Sequence, residues 1–393
     1  MEVPFYRDTW AEINLDAIEA NVVNMRQLLP VDTMVMAVVK ANGYGHGAEE
    51  VAETALEAGA KWLGVALLDE AVRLRVSGIE APILVLGWTR PEDVHIAAKY
   101  NISITVFQQE WVREASKCYK SQHPVFFHLK FDTGMGRLGV RDYSEAKGLI
   151  GEMKSDPRFI IEGAFTHFAT ADEDNQTYFN EQYSRFKEGL SWLKELGINP
   201  NLIHCGNSAA SLKHPENMFN LVRFGIAMYG LSPSEEMKPG LPFKLEEAFS
   251  FHSRLVHVKS VPPNEGISYG AIYRTEKDEW IGTVPVGYAD GWTRSLAKDS
   301  TVIVRNNRCP IAGKICMDQF MCRLPYEVPV GEKVTLIGGG PDVKITVDEV
   351  AARLGTINYE IPCMISERVP RIYFRSGERL KVRNPLLETN EEI

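Results

Sequence analysis

No two of the six cysteines, at positions 118, 205, 309, 316, 322 and 363, stand as a Cys-x-x-Cys pair, so the 393-residue sequence suggests neither a zinc knuckle nor a disulfide framework. Reduced thiols in a cytoplasmic protein are the simplest expectation, and no metal site is expected. The sequence has no apolar run long enough to span a bilayer, and Met1 to Trp10 lacks the basic-then-apolar order of a signal peptide. Lysine and arginine occur singly rather than in blocks and the formal net charge is -9, which argues against nucleic acid and against a membrane surface as partners. Also missing is a Gly-x-Gly-x-x-Gly turn after the first strand, the phosphate fingerprint of a doubly wound dinucleotide-binding sheet.

What is present is ample apolar material, 45% of residues, in a chain long enough for two domains. From residue 33 short β-branched runs alternate with helix-period stretches. The runs are Thr33 to Lys40, Trp62 to Leu67, Pro82 to Gly87, Ile102 to Val106, Val125 to Asp132, Phe159 to Phe168, Leu202 to Ser208 and Leu221 to Tyr229. Eight such units predict an α/β fold whose first part is a (β/α)8 TIM-type barrel. After the Pro-, Ser- and Gly-rich stretch Gly230 to Pro242 the pattern becomes alternating strands with turn signals, including a single run Phe251 to Lys259, and one helix at Val347 to Leu354. The expected division is therefore a barrel over 1–244 and a mainly β domain over 245–393.

Active sites of such barrels lie at the carboxyl ends of the strands, which directs attention to Lys40 at the end of Met34-Val35-Met36-Ala37-Val38-Val39. Desolvation there would lower the pKa of the amine, as a lysine that forms an imine requires. Taken alone, Lys40 is equally a strand-end lysine that snorkels to water. The following Ala41-Asn42-Gly43-Tyr44-Gly45-His46-Gly47 allows close backbone approach to a ligand, and Tyr44 is either a phosphate donor or a packed loop tyrosine.

The string Ala37 to Gly47 resembles the pyridoxal phosphate attachment signature of the alanine racemases. The resemblance continues at His128 to Arg137, Thr166 to Ala169, Asn207 to Ala210, Val222 to Ile226, Ile267 to Gly270, Gly287 to Gly291, Ile315 to Asp318 and Ile357 to Glu360, nearly the whole chain. Gly43 replaces an alanine common in relatives. The resemblance implies a cofactor, pyridoxal 5'-phosphate, held as an imine on Lys40, and a two-base racemisation in which Lys40 serves the D face and Tyr269 the L face. It further implies a homodimer with shared active sites, in which Tyr269 comes from the partner.

Implied cofactor contacts are Tyr44, His167, Asn207, Ser208, Gly225, Ile226 and Tyr359, with Arg223 on the pyridine nitrogen. Because arginine stays protonated, that nitrogen is expected to stay unprotonated, which limits transamination. Arg223 lies in an apolar run and must have a partner, its alternative role being an ion pair with a barrel carboxylate. Ser208 is alternatively a helix N-cap. Arg137 and Met317 are implied substrate ligands. Lys130 is the implied carbamate-bearing lysine that orients Arg137; Tyr288 and Arg294 line a narrow access channel, and Asp318 falls in a matched motif. The expected reaction interconverts L-alanine and D-alanine, supplying D-alanine for peptidoglycan. Left open are a serine or broad-specificity racemase, a decarboxylase of the same fold, in which an acidic residue would replace Arg223, and a non-catalytic cofactor carrier.

Overall fold

The computed structural model describes residues 5–387; residues 1–4 and 388–393, which include the start of the N-terminal stretch read above, lie outside the described residues. By internal contacts the chain divides into two units, one of Ile18–Gly43 and Ala48–Glu246, the other of Met1–Ala17, Tyr44–Gly47 and Glu247–Ile393.

The first unit contains eight parallel strands. Chain order starts with β1 (Thr9–Asn14), which belongs to the second unit, and continues with β2 (Met34–Val38), β3 (Trp62–Val65), β4 (Ile83–Val85), β5 (Ser103–Val106), β6 (Val125–Lys130), β7 (Phe159–Phe165), β8 (Leu202–His204) and β9 (Leu221–Phe224). The ladder runs from β8 down to β2 and closes on β9, giving the nearly complete barrel expected from the sequence. The seam between β8 and β9 is stitched by Arg223 N–H donating to the Gly206 carbonyl at 3.0 Å and Ile203 N–H donating to Asn220 Oδ1 at 2.8 Å.

Alternate residues of each strand face inward. Met36, Trp62, Leu84, Leu202 and Leu221 pack into one apolar interior cluster. Two residues further along β8 and β9 the period delivers His204 and Arg223, so the interior changes from apolar to polar along its own axis. Helices such as Ala48–Glu57, Leu68–Val76, Tyr143–Ser155 and Thr177–Glu195 bury their apolar faces, as Ala146, Leu149, Ile150 and Met153 do in the third of these.

The second unit is mainly β. β1 lies between β10 (Phe249–Arg254), antiparallel to it with Thr9 opposite Ser253, and Arg371–Arg375, parallel to it with Ala11 opposite Arg371. This departs from the expected division, which assigned everything before 245 to the barrel: the first strand finds its hydrogen-bond partners some 240 residues away. The run Phe251 to Lys259 is likewise two strands, β10 and His257–Val261, because Leu255 and Val256 leave the ladder between them. The helix Val347–Leu354 is present, capped by Thr346, whose hydroxyl accepts from Glu349 N–H at 3.0 Å.

Tyr44–Gly47 belongs to this unit through a very close contact. A Cβ on Gly45 would lie 2.1 Å from the Pro362 carbonyl oxygen, and Gly45 has φ +82°; Arg371 Nε donates to its carbonyl at 3.2 Å. We expect G45A to destabilise the protein by about 2–5 kcal/mol, positive-φ strain adding to an overpacked contact. The urea midpoint followed by circular dichroism measures this, and an unchanged midpoint would contradict the packing described.

Candidate active site

Lys40 follows β2 and is half-buried. Immediately after it the backbone turns left-handed, with φ of 52° at Ala41, 52° at Asn42, 61° at Gly43 and 51° at Tyr44. Left-handed conformation costs an L-residue about 1–2 kcal/mol, so such a turn needs external support. Glu70 provides it: one carboxylate oxygen accepts from Ala41 N–H at 2.6 Å while the other accepts from Ala66 and Leu67 N–H at 2.8 and 3.1 Å. Asn42 Oδ1 accepts from Ala48 N–H at 3.0 Å, closing the turn onto the next helix.

Arg223 on β9 is only 4% exposed. Its Nη1 donates to His204 Nδ1 and the His204 carbonyl at 3.0 and 3.1 Å, and its Nη2 to the Thr166 and Cys205 carbonyls and His167 Nδ1 at 2.8, 3.1 and 3.2 Å. Every acceptor is a carbonyl oxygen or an imidazole nitrogen; among the described residues no carboxylate pairs with it, so the ion-pair alternative is not what the fold built. Burial pulls its pKa down to about 10, which leaves the guanidinium charged at neutral pH.

His167, beside Arg223, is held neutral by burial and then by the positive charges of Arg223, Arg137, Lys130 and Lys40. That electrostatic reach places four cations around one imidazole. Lys130, 5% exposed at the end of β6, has its amine pushed down to about 8 by burial, with Arg137, Arg223 and Lys40 adding repulsion against the opposing pull of Asp132. Its Nζ and the Arg223 Cζ lie 5.2 and 5.4 Å from the centre of the Phe165 ring. Arg137 is exposed on a loop shaped by Asp132 Oδ1, which accepts from Gly134 and Gly136 N–H at 3.1 and 2.9 Å.

Asn207 rather than Ser208 is the N-cap of helix Ser208–Lys213: its Oδ1 accepts from Ala210 N–H at 2.9 Å. That frees the Ser208 hydroxyl, which accepts from Gly225 N–H at 2.9 Å. Ile226 opens the short turn Ile226–Tyr229. The barrel unit thus brings Lys40, Lys130, Arg137, His167 and Arg223 together, and Ser208 onto Gly225.

In the second unit Tyr44 and Tyr359 pair, their ring centres 6.3 Å apart. Burial, with lesser contributions from Tyr359 and Cys363, raises the pKa of Tyr44, so its phenol keeps its proton and can donate. Tyr269 projects from a turn between the paired strands Gly266–Ile267 and Tyr273–Arg274 and is 71% exposed. The preceding Ser268, at φ 65° and ψ -179°, occupies a region that is almost exclusively glycine's; its hydroxyl donates to the Lys314 carbonyl at 2.7 Å and secures the turn.

Tyr269, Met317 and Asp318 line one open depression of about 640 Å³. Tyr288 joins this segment through its N–H to the Cys316 carbonyl at 3.0 Å. Asp318 pairs with Arg368 at 2.8 Å, a structural tether rather than a ligand contact. Arg294, itself exposed, begins the turn Arg294–Ala297 and does not line the Tyr269 depression. Sequence reasoning gave no role to Glu70, His204 or Ser268; Ser268 lies within a matched motif and His204 near one, while nothing in the sequence pointed to Glu70.

Family models describe the same two parts: the alanine racemase N-terminal domain matches residues 13–233 and the C-terminal domain residues 248–373. The chain belongs to the alanine racemase family. It is 58% identical to the alanine racemase of Geobacillus stearothermophilus over 97% of both chains. The crystal structure of alanine racemase from Bacillus anthracis with bound L-Ala-P superposes with a TM-score of 0.95 at 52% identity, covering 98% of this chain and 99% of that one. A histidine racemase from Leuconostoc mesenteroides shares the fold at 30% identity with a TM-score of 0.87, covering 95% of this chain and 100% of that one. Curated homologues at this similarity are isomerases of the racemase type, which favours neither the decarboxylase nor the carrier.

The environment of Lys130 predicts a titration near pH 8. Its ammonium form should dominate below that pH and the neutral amine above it, since burial and like charges disfavour the cation. Carbon-13 NMR of lysine-labelled protein across pH in carbon-dioxide-free buffer, where the side chain is a free amine, checks the midpoint, K130A identifying the signal; an ordinary lysine midpoint would show that the site is wetter and less positive than described.

Proposed function

We propose that this chain is a cytoplasmic alanine racemase that interconverts L-alanine and D-alanine with pyridoxal phosphate, supplying D-alanine for peptidoglycan, and that it works as a homodimer. The observation that carries the reading is the gathering of Lys40, Lys130, Arg137 and Arg223 around a neutral His167.

The donor set fits the cofactor. Lys40 offers a half-buried amine to the aldehyde, and the carboxyl-end position is where this barrel carries its chemistry. Arg223 can only donate, which suits an unprotonated pyridine nitrogen. Ser208, backbone N–H groups at Gly225 and Ile226, and the phenols of Tyr44 and Tyr359 would hold the phosphate, with Asn207 fixing the helix that carries Ser208 and His167 fixing the cofactor's edge. When bound, the cofactor supplies the electron sink that makes the α-proton of an amino acid removable.

Inversion then needs one acid-base group on each face of the substrate. Lys40 Nζ exchanges the proton on the D face, and Tyr269 Oη exchanges it on the L face. Arg137 holds the substrate carboxylate, aided by the Met317 backbone N–H. The depressed pKa of Lys130 supports reaction of its neutral amine with carbon dioxide; the resulting carbamate would replace a cation by an anion beside Arg137. Tyr288 and Arg294 narrow the access route in favour of a methyl side chain.

Tyr269, Ile272, Met317 and Tyr288, 71%, 61%, 52% and 42% exposed, give the second unit an amphipathic face suited to a second copy of the chain. No described helix is long and apolar enough to cross a membrane.

Incubation of purified protein with L-alanine, L-serine and L-lysine separately should give D-alanine fastest and no carbon dioxide. Rapid D-serine formation would replace this reading with a broad-specificity racemase. Shared sites make a sharper demand: K40A and Y269F are each expected to be nearly inactive. Mixed and reassociated in equal amounts they should recover about a quarter of wild-type activity, because half the dimers then hold one intact site of two. No recovery, despite mixed dimers demonstrated by a purification tag on one variant, would place Lys40 and Tyr269 in the same subunit.

A further inference from the structure

The barrel interior contains a line of polar side chains that the reaction as described does not use. From Arg223 Nη1 it runs to His204 Nδ1 at 3.0 Å, from His204 Nε2 to His128 Nδ1 at 2.8 Å, and from His128 Nε2 to Glu162 Oε1 at 3.3 Å. Ser103, first residue of β5, donates its hydroxyl to the same carboxylate oxygen. Both histidines are fully buried. Interiors of such barrels are ordinarily filled with branched apolar residues, and a buried polar chain is costly unless every member is satisfied.

The fold makes specific provision for this line. In the β6–β7 ladder Phe127 is opposite Ile161 but His128 is opposite Gly163, so Glu162 is an inserted residue, a β-bulge. Bulges re-aim side chains, and this one directs a carboxylate to an imidazole. A Cβ on Gly163 would lie 2.2 Å from His128 Nδ1, the atom that receives His204, so only glycine leaves room for the ring. Phe165 stacks on His204 at 4.7 Å and 5°, and Trp62 meets His128 edge-on at 5.5 Å, which fixes both ring planes.

Hydrogen-bond direction follows from chemistry. Guanidinium N–H groups only donate, so His204 Nδ1 accepts and its Nε2–H donates to His128 Nδ1. His128 Nε2–H must then donate onward, and Glu162 is its acceptor. Burial lowers the pKa of both rings, in keeping with two neutral imidazoles.

We propose that Glu162 is a positioning residue for the racemisation: through His128 and His204 it supplies the negative end of a buried relay whose positive end is Arg223, and so fixes the charge and aim of that guanidinium. This rests on the reading of Arg223 as the cofactor's nitrogen ligand. Glu162 touches neither substrate nor cofactor in this assignment. It acts two imidazoles away, as an outer partner that tunes an inner group.

The test uses the holoenzyme and two variants. E162Q keeps an acceptor for His128 and removes only the charge; E162M removes both. Nitrogen-15 spectra of histidine-labelled enzyme, with H204N assigning one ring, should show both rings of the wild type as Nε2–H tautomers. In E162Q the His204 Nδ1 resonance should move although His204 never touches residue 162. Turnover should fall about tenfold with KM changed less than about twofold, the low end of the loss expected for an outer partner, and E162M should lose more. Unmoved His204 resonances in E162Q would overturn the relay, as would a variant that only melts earlier with turnover intact and its spectrum unchanged. A moved resonance with unchanged turnover would instead leave the relay standing and defeat the assignment of Arg223 to the cofactor.

Discussion

A guanidinium that is 4% exposed, with no carboxylate beside it among the described residues, has to be kept charged by dipoles. Removing such a charge from water costs several kcal/mol even after relaxation, and Arg223 recovers this through three backbone carbonyls and two imidazoles. Much of the surrounding arrangement follows. The two imidazoles must present lone pairs to Arg223, so His167 and His204 are held neutral, and the residual positive potential falls on the next nearest titratable group. Lys130 yields, its amine pushed down to about 8 by burial and then by its cationic neighbours.

The left-handed turn after Lys40 is a second constraint, and it explains why lysine, loop and tyrosine occur as one string. The positive-φ residues Ala41 to Tyr44, continued by Gly45, cannot be held by their own propensity. Glu70 anchors the start of the turn, Asn42 closes it on the next helix, and Gly45 admits the Pro362 carbonyl. The same four residues that lead away from Lys40 bring Tyr44 to Tyr359, so the spacing of the motif is set by backbone geometry as much as by chemistry.

The barrel was legible because each of its eight strands is a short, nearly unbroken apolar run, as strands covered on both faces must be. β1 was not, since Thr9–Asn14 is half polar and its partners, Phe249–Arg254 and Arg371–Arg375, are remote in sequence. Arg371–Arg375 was missed for a related reason: arginine at both ends hides its apolar centre, though Arg371 is buried and donates to the carbonyls of Gly45, Ser366, Val369 and Ile365. Among the site residues, those in matched strings could be named by resemblance. Glu162 could not, because a single inserted residue in β7 reverses which side chain faces inward, and nothing in the local composition announces an insertion.

Charge balance then says what the site demands of its ligand. The chain as a whole is acidic, at -9, yet Lys40, Lys130, Arg137 and Arg223 converge at one end of the barrel, and among the described residues Arg223 donates only to neutral groups. Four cations gathered around one imidazole favour a ligand carrying several negative charges, such as a phosphate together with a carboxylate, over a neutral or cationic one. Fold alone does not set the rest, since a histidine racemase shares it. In the reaction proposed above the cationic cluster answers the ligand's charges, and selection among side chains is assigned to Tyr269, Tyr288 and Met317 of the second unit, all of them exposed.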